Sequence, residues 1–248
     1  QFALQKSNEL NLPLKIIHPK INYEYLPKQK FIDEQIQQAQ RIFQNLNLDF
    51  EIVDKTPYEI VKNLNLALLI IDFNPILKRD WLKKVNFKVF EIDGHNIIPA
   101  KYISDKQEYS AATLRRKIYH NIYPFLTEFE HLTNEKVEAD YVLEEFIEKK
   151  LPHYAEFKNN PSKKVLSGLS RYLNCGFLSS QKAALAVIKS DISTENKEMF
   201  LEELITRKEL ADNFCLYAKN FKDFSSIQTW AKISLDTHKY RIFILFKN

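Results

Sequence analysis

The chain has 248 residues, of which 45% are hydrophobic and 27% charged, with a net charge of +4. These are the proportions of an ordinary globular protein with room for one large domain or two small ones, and the mild positive charge permits nucleic-acid binding without requiring it. No run of eighteen apolar residues occurs, the first residues lack the charged and apolar regions of a signal peptide, and only Gly94, Gly168 and Gly176 are glycine, too few for a G-x-G-x-x-G or Walker phosphate loop.

The chain opens on Gln1 without an initiator methionine, in what reads as the middle of a helix, so a fragment is expected. Leu14-Lys15-Ile16-Ile17 is a short apolar run closed by His18-Pro19. Residues 31–46 form an amphipathic helix with Ile32, Ile36, Ala39 and Phe43 at helical spacing. Phe50-Glu51-Ile52-Val53 alternates as a strand, and Pro57 opens a helix ending near Leu64. The run from Leu66 to Ile71 reads as a parallel strand buried on both faces, a helix is expected after Pro75, and Lys88 to Asp93 is the last strand. The pattern is a doubly wound parallel sheet whose strand ends, Asp72 and Asp93, share one edge.

After Pro99 the strands stop, and residues 106–125, 139–151, 179–190, 197–217 and 226–238 read as helices. An α/β run followed by an all-α run implies two domains: 1–103, a connection over 104–138 with its most loop-like part at Thr133-Asn134-Glu135-Lys136, and 139–248. Cys175 and Cys215 give neither a disulfide framework nor metal-ligand spacing, so no metal is expected, and both read as small buried side chains in a reducing compartment.

Four segments carry candidate chemistry. Asp93-Gly94-His95-Asn96 sits at a strand end, where ligand crevices open, but reads first as a glycine turn with self-satisfied polar side chains. Ser104-Asp105-Lys106-Gln107-Glu108-Tyr109 resembles a capped helix start, and the Arg115-Arg116-Lys117 cluster behind it reads as a solvated face or a phosphate contact. Ser167-Gly168-Leu169-Ser170 offers hydroxyls and backbone N–H groups before a short helical turn, suited to a phosphate or to ordinary capping. The stretch from Phe200 to Phe214 has neither Gly nor Pro. At about 100° per residue it places Glu202, Thr206, Glu209 and Asn213 on one face, expected to see water. Glu203 and Arg207 lie beside Phe200, Leu210 and Phe214, expected to form a partly desolvated pair or an ordinary i,i+4 ion pair.

Residues 166–180 and 201–217 together resemble the flavin-binding region of DNA photolyases, in the class II cyclobutane pyrimidine dimer variant. The family motifs read L-S-x-L-S-P-Y-L-x-x-G-x-x-S and E-E-L-x-x-R-x-E-L-A-x-N-F, and segments 93–99 and 104–109 also resemble class II signatures in family order. The resemblance implies an α/β antenna-type domain before an all-helical FAD domain, both incomplete. It implies FAD as cofactor, with an antenna chromophore of unknown identity, and UV-damaged DNA carrying pyrimidine dimers as partner. The activity implied is light-driven repair by electron transfer from reduced FAD, in a monomer of the cytoplasm or nucleoid without membrane attachment.

By the same resemblance Tyr154, Ser167, Leu169, Ser170 and Phe200 would hold the flavin. Glu203 would hydrogen-bond the flipped dimer and steady its radical anion, and Lys158, Arg207 and Leu210 would join Glu203 in contacting DNA. Arg171 replaces the usual proline and Asn174-Cys175 the usual His-Phe. A first strand is expected to be absent, leaving the sheet without a neighbour. Lys239–Asn248 does not resemble the corresponding part of the family and reads as a change of frame or an early end, so weak FAD binding and impaired repair are expected. The alternatives are a cryptochrome-like light sensor or DNA-binding remnant, and a two-domain binding protein with a structural Glu203–Arg207 pair.

Overall fold

The computed structural model describes residues 1–77, 79–128, 133 and 135–239, so Asn134 of the expected loop and most of the closing segment lie outside the described residues. Helix α1 (Phe2–Leu10) leads to β1 (Lys15–Pro19), α2 (Leu26–Asn45), β2 (Asp49–Val53), α3 (Pro57–Val61), β3 (Leu68–Asp72) and β4 (Lys88–Ile92). Thr56 caps α3 with a capping box, accepting from the Glu59 N–H while the Glu59 carboxylate accepts from the Thr56 N–H.

The alternation of strands and helices is as the sequence predicts, and both strand pairings are parallel. The sheet is not continuous: β1 pairs with β2 and β3 with β4, in two separate two-stranded ladders. Among the described residues β1 and β3 each keep one edge without a strand partner. The expectation that β3 is buried on both faces is corrected, since its residues are half-buried except for the exposed Asp72. Two-stranded ladders have few neighbours to cover their faces. The expected helix after Pro75 is replaced by a 3-10 turn, Asp80–Lys84.

Beyond β4 the chain enters α4 (Ala100–Ile103) and α5 (Ala111–Asn121), then, past Val137, α6 (Glu138–Glu145). A π-helical turn, Phe146–Lys150, and a 3-10 turn, Leu151–His153, join α6 to α7 (Tyr154–Phe157). The rest is α8 (Ser170–Asn174), α9 (Ser180–Lys189), α10 (Thr194–Leu201), a second π turn (Glu202–Arg207), α11 (Lys208–Tyr217) and α12 (Thr229–His238). Helix α5 starts at its Ser110 cap, later than the sequence suggests. The Ser104 hydroxyl, read as a cap, donates to the Glu108 carboxylate at 2.8 Å and accepts from Lys117 Nζ at 3.1 Å.

The main core lies in the helical region. Ile98, Leu114, Ile118, Phe146, Leu151, Leu169, Tyr172 and Val187 are all essentially inaccessible. The strand-bearing region contributes Ile32, Val61 and Phe73 as buried apolar residues, outside that cluster. It docks through α2, where Phe31 meets the Tyr172 ring edge-on at 5.2 Å and the Gln35 amide donates to Glu138 at 2.8 Å. Cys175 and Cys215 are free and only half-buried.

Candidate functional site

Two π turns bracket the site. The first begins at Phe146 and the second follows Phe200, and the two rings pack 4.7 Å apart. Tyr154 meets Phe146 at 5.8 Å and Phe200 at 5.6 Å, both edge-on, which makes a three-ring cluster buried at 7%, 0% and 4% exposure for Tyr154, Phe146 and Phe200. Burial, reinforced by the nearby Glu203 carboxylate, pushes the Tyr154 phenol upward.

Lys158 stands one helical turn beyond Tyr154, and Glu203 nearly one turn beyond Phe200. Across the two segments Lys158 Nζ donates to Glu203 Oε1 at 2.9 Å, with Lys158 almost covered and Glu203 exposed. The structure thus brings Tyr154, Lys158, Phe200 and Glu203 together.

Glu203 does not pair with Arg207, and neither is desolvated, since both are exposed. The π turn explains the correction. Its hydrogen bonds span five residues, so the register of side chains slips by one relative to an α-helix. Arg207 Nε accordingly lies 3.4 Å from Glu202 Oε1, five residues back. Arg115 also grips Glu202, through Nε at 3.0 Å and Nη2 at 2.6 Å, which pulls the Glu202 carboxyl below its usual range. Lys117 pairs with Glu108 at 2.5 Å, so Arg115 and Lys117 of the basic cluster face internal carboxylates while Arg116 is exposed.

The face expected to see water is also corrected, because Thr206, Glu209 and Asn213 are all buried. Glu209 and Asn213 bind the chain between β4 and α5. Glu209 Oε1 accepts from the Ile97 N–H at 3.0 Å and the Ile98 N–H at 3.5 Å. Asn213 accepts from the Glu108 N–H at 2.7 Å and donates to the Lys106 carbonyl at 3.0 Å. Lys208 donates to the His95 carbonyl at 2.6 Å, Asp212 lies 2.7 Å from His95 Nδ1, and the Tyr217 hydroxyl donates to the Ser104 carbonyl at 2.6 Å. Burial pushes Glu209 up to about 7 against the pull of the Ile97 N–H and Lys208, and its Oε2 is buried without a partner. Sequence reasoning missed this polar zipper. Its one visible signal is a helix whose supposed wet face carries Thr, Glu and Asn while the rest is apolar and charged in mixture.

The Asp93 turn takes the plainer of its two readings. Asp93 Oδ1 accepts from the N–H groups of His95 and Asn96 at 3.1 and 2.9 Å, and Oδ2 from that of Ala100 at 2.8 Å. Asp72 meets it at the shared strand edge, accepting from the Gly94 N–H at 3.4 Å; although the residue as a whole is exposed, desolvation of its carboxyl at that edge pushes it up.

The Ser167–Ser170 segment turns at Gly168, whose φ of +72° favours glycine. Ser167 Oγ accepts from the Leu169 N–H at 3.3 Å, Leu169 is buried in the core, and Ser170 is exposed at the start of α8. Arg171, in place of the family proline, stacks over Phe31 at 4.9 Å and Tyr172 at 4.7 Å and donates to the Tyr172 hydroxyl at 2.6 Å. It fastens α2 to α8. Leu210 is half-buried against the core. Two open clefts, about 640 and 390 Å³, lie along α2 and beside Thr56, and none of these site residues lines either.

No family model matches the chain. It is 32% identical to a deoxyribodipyrimidine photo-lyase of Potorous tridactylus, over 72% of this chain and 42% of that protein. A protein of the same name from Arabidopsis thaliana is 28% identical over 95% of this chain and 59% of its own length. The chain belongs to the photolyase/cryptochrome family. It spans roughly half the length of the curated photolyases it matches. A class III photolyase from Agrobacterium tumefaciens superposes with a TM-score of 0.64 over 87% of this chain and 56% of its own, at 14% identity, which shows the fold: an α/β region followed by a helical one.

Among photolyase-type cofactors, FAD needs a phosphate cradle and an aromatic wall. Ser167, the Gly168 turn and exposed Ser170 fit the phosphates in chemical type. Tyr154 and Phe200 are aromatic as such a wall requires, and both are buried with their rings turned to Phe146 and to each other.

Proposed function

We propose that the chain acts in light-driven repair of cyclobutane pyrimidine dimers in DNA, in the manner of a class II photolyase with FAD as cofactor. The observation that carries this reading is the Lys158–Glu203 pair, 2.9 Å apart beside the Tyr154–Phe146–Phe200 cluster, in a chain of this family. In this reading residues 1–103 are the antenna-type domain and 139–248 the flavin domain.

A dimer flipped from the duplex presents its hydrogen-bonding edge to the protein, and unstacking costs least for a damaged base. Glu203, exposed and fixed by Lys158, is placed to accept from a pyrimidine imide N–H. The Lys158 ammonium donates to a carbonyl oxygen on which negative charge develops, an interaction that grows stronger as water is excluded. Ser167, Ser170 and Leu169 would hold the phosphates through hydroxyl and backbone groups, and Tyr154 and Phe200 would orient the ring. The chemistry supplied by bound FAD is the light-driven electron that opens the cyclobutane ring and is afterwards returned.

The test is repair of a thymine-dimer oligonucleotide under blue light after loading with reduced FAD. Wild-type repair that falls at least about tenfold in Glu203→Gln, a loss of about 1.4 kcal/mol in the transition state, supports the reading. Flavin binding without light-dependent repair overturns it in favour of a light sensor.

A further inference from the structure

We infer that Glu202 and Arg115 are positioning residues for Glu203: across the π turn they capture Arg207, and so leave the Glu203 carboxylate to Lys158. The functional meaning of this arrangement rests on the reading of Glu203 as the lesion-facing group, but its geometry does not.

Glu203 has two cations within reach of its position. Lys158 approaches from α7, and Arg207 follows four residues along the same helix, the spacing at which an α-helix forms its ordinary acid–base pair. A guanidinium fork is the better partner for a carboxylate than an ammonium, so in a regular helix Arg207 competes well. The structure resolves the competition by two devices. The π turn Glu202–Arg207 moves Arg207 by one position, into line with Glu202 at 3.4 Å. Glu202 is held in place to receive it by the bidentate grip of Arg115 from α5, at 3.0 and 2.6 Å, and is only 20% exposed. Arg207 is the more exposed partner at 57%, so without the Glu202 carboxylate nothing in the described contacts keeps its long side chain from reaching the neighbouring Glu203, one position along. Lys158 is only 11% exposed, which fixes its ammonium against Glu203 once the competitor is removed. The Arg115–Glu202 pair thus determines which cation stands beside the candidate catalytic carboxylate: the single-point donor of the largely covered Lys158, just past α7, rather than an exposed fork.

The test is a pair of double-mutant cycles on the unfolding equilibrium of the 248-residue chain, Lys158/Glu203 and Arg207/Glu203, each measured with Glu202 intact and with Glu202→Gln. With Glu202 intact, Lys158 and Glu203 couple by about two- to fivefold in the unfolding constant, and Arg207 and Glu203 by less than about 1.5-fold. In Glu202→Gln the order reverses. Glu202→Asp, which keeps the charge but withdraws it by one methylene, shows the same reversal in weaker form and serves if the glutamine variant does not fold. A Glu202 variant that lowers stability while leaving both couplings unchanged overturns the proposal, because an ion pair that only supports the fold does that. Repair turnover is read in the same variants. Where wild type repairs dimers, Glu202→Gln lowers turnover towards the Glu203→Gln level without weakening flavin binding. Where wild type repairs none, the functional reading fails and the cycles still decide the positioning.

Discussion

The strand-bearing and helical regions are close in hydrophobic character along the sequence yet differ in how they are held. The helical region closes around inaccessible Leu114, Phe146, Leu151 and Tyr172, while the strands keep half-buried side chains and two unjoined parallel ladders. A helix needs one apolar stripe covered, whereas a parallel strand needs both faces covered and both edges paired. The lesson is that the candidate site stands on the better-packed region, and that the strand-bearing region docks against it through contacts such as Phe31–Tyr172 and Gln35–Glu138.

The sharpest way to break this comparison is core truncation. Phe146→Ala removes an inaccessible ring from the three-ring cluster and is expected to cost about 3–5 kcal/mol in urea unfolding. Ile70→Ala in half-buried β3 is expected to cost only about 1–2 kcal/mol, since less apolar area returns to water. Equal losses would remove the distinction.

The polar zipper is the next test. Asn213→Ala leaves the Glu108 N–H and Lys106 carbonyl without their partner and is expected to cost about 1–3 kcal/mol. A loss of a few tenths would mean that water replaces the side chain freely.

The same zipper sets a pH dependence. Glu209 titrates at about 7 in the fold and near 4.5 when unfolded, so the folded state binds the extra proton between those values. Its contribution is complete below about 4.5 and is lost as pH rises towards 7. Glu108 is held down at about 2, chiefly by Lys117, so its contribution is complete above about 4.5 and is lost as pH falls towards 2. Together the two give a stability maximum around pH 4.5–5 from chemical denaturation at a series of pH values. Glu209→Gln is expected to flatten the alkaline limb and Glu108→Gln the acid limb, and a variant that changes neither limb refutes its assignment.

The smallest effect is expected at Arg171. Arg171→Pro restores the family residue and removes the stack on Phe31 together with the hydrogen bond to the Tyr172 hydroxyl, at about 1 kcal/mol for a half-exposed cation. A gain in stability would show that the stack does not fasten the two regions.

The alternation of strands with helices, the later all-helical run and the long helix carrying Glu203 were all legible from local pattern, whereas roles for Tyr154, Lys158, Phe200 and Glu203 came only from the family resemblance. Periodicity at 3.6 residues and apolar runs are properties of neighbours in the chain, so they survive without knowledge of the fold. What failed were the statements that depend on what packs against an element. Glu209 and Asn213 looked like a wet face because polarity was read as exposure, and the chain from His95 to Glu108 covers them. Glu203 and Arg207 looked like a pair because α-helical spacing was assumed, and the π turn redirects Arg207 to Glu202 while Lys158 takes Glu203. The sequence by itself determined the order of elements, the helical setting of the candidate carboxylate and the kinship with photolyases. Only the tertiary structure decided which cation stands beside that carboxylate, because such partners come from residues 45 positions apart, brought together by packing that no local pattern encodes.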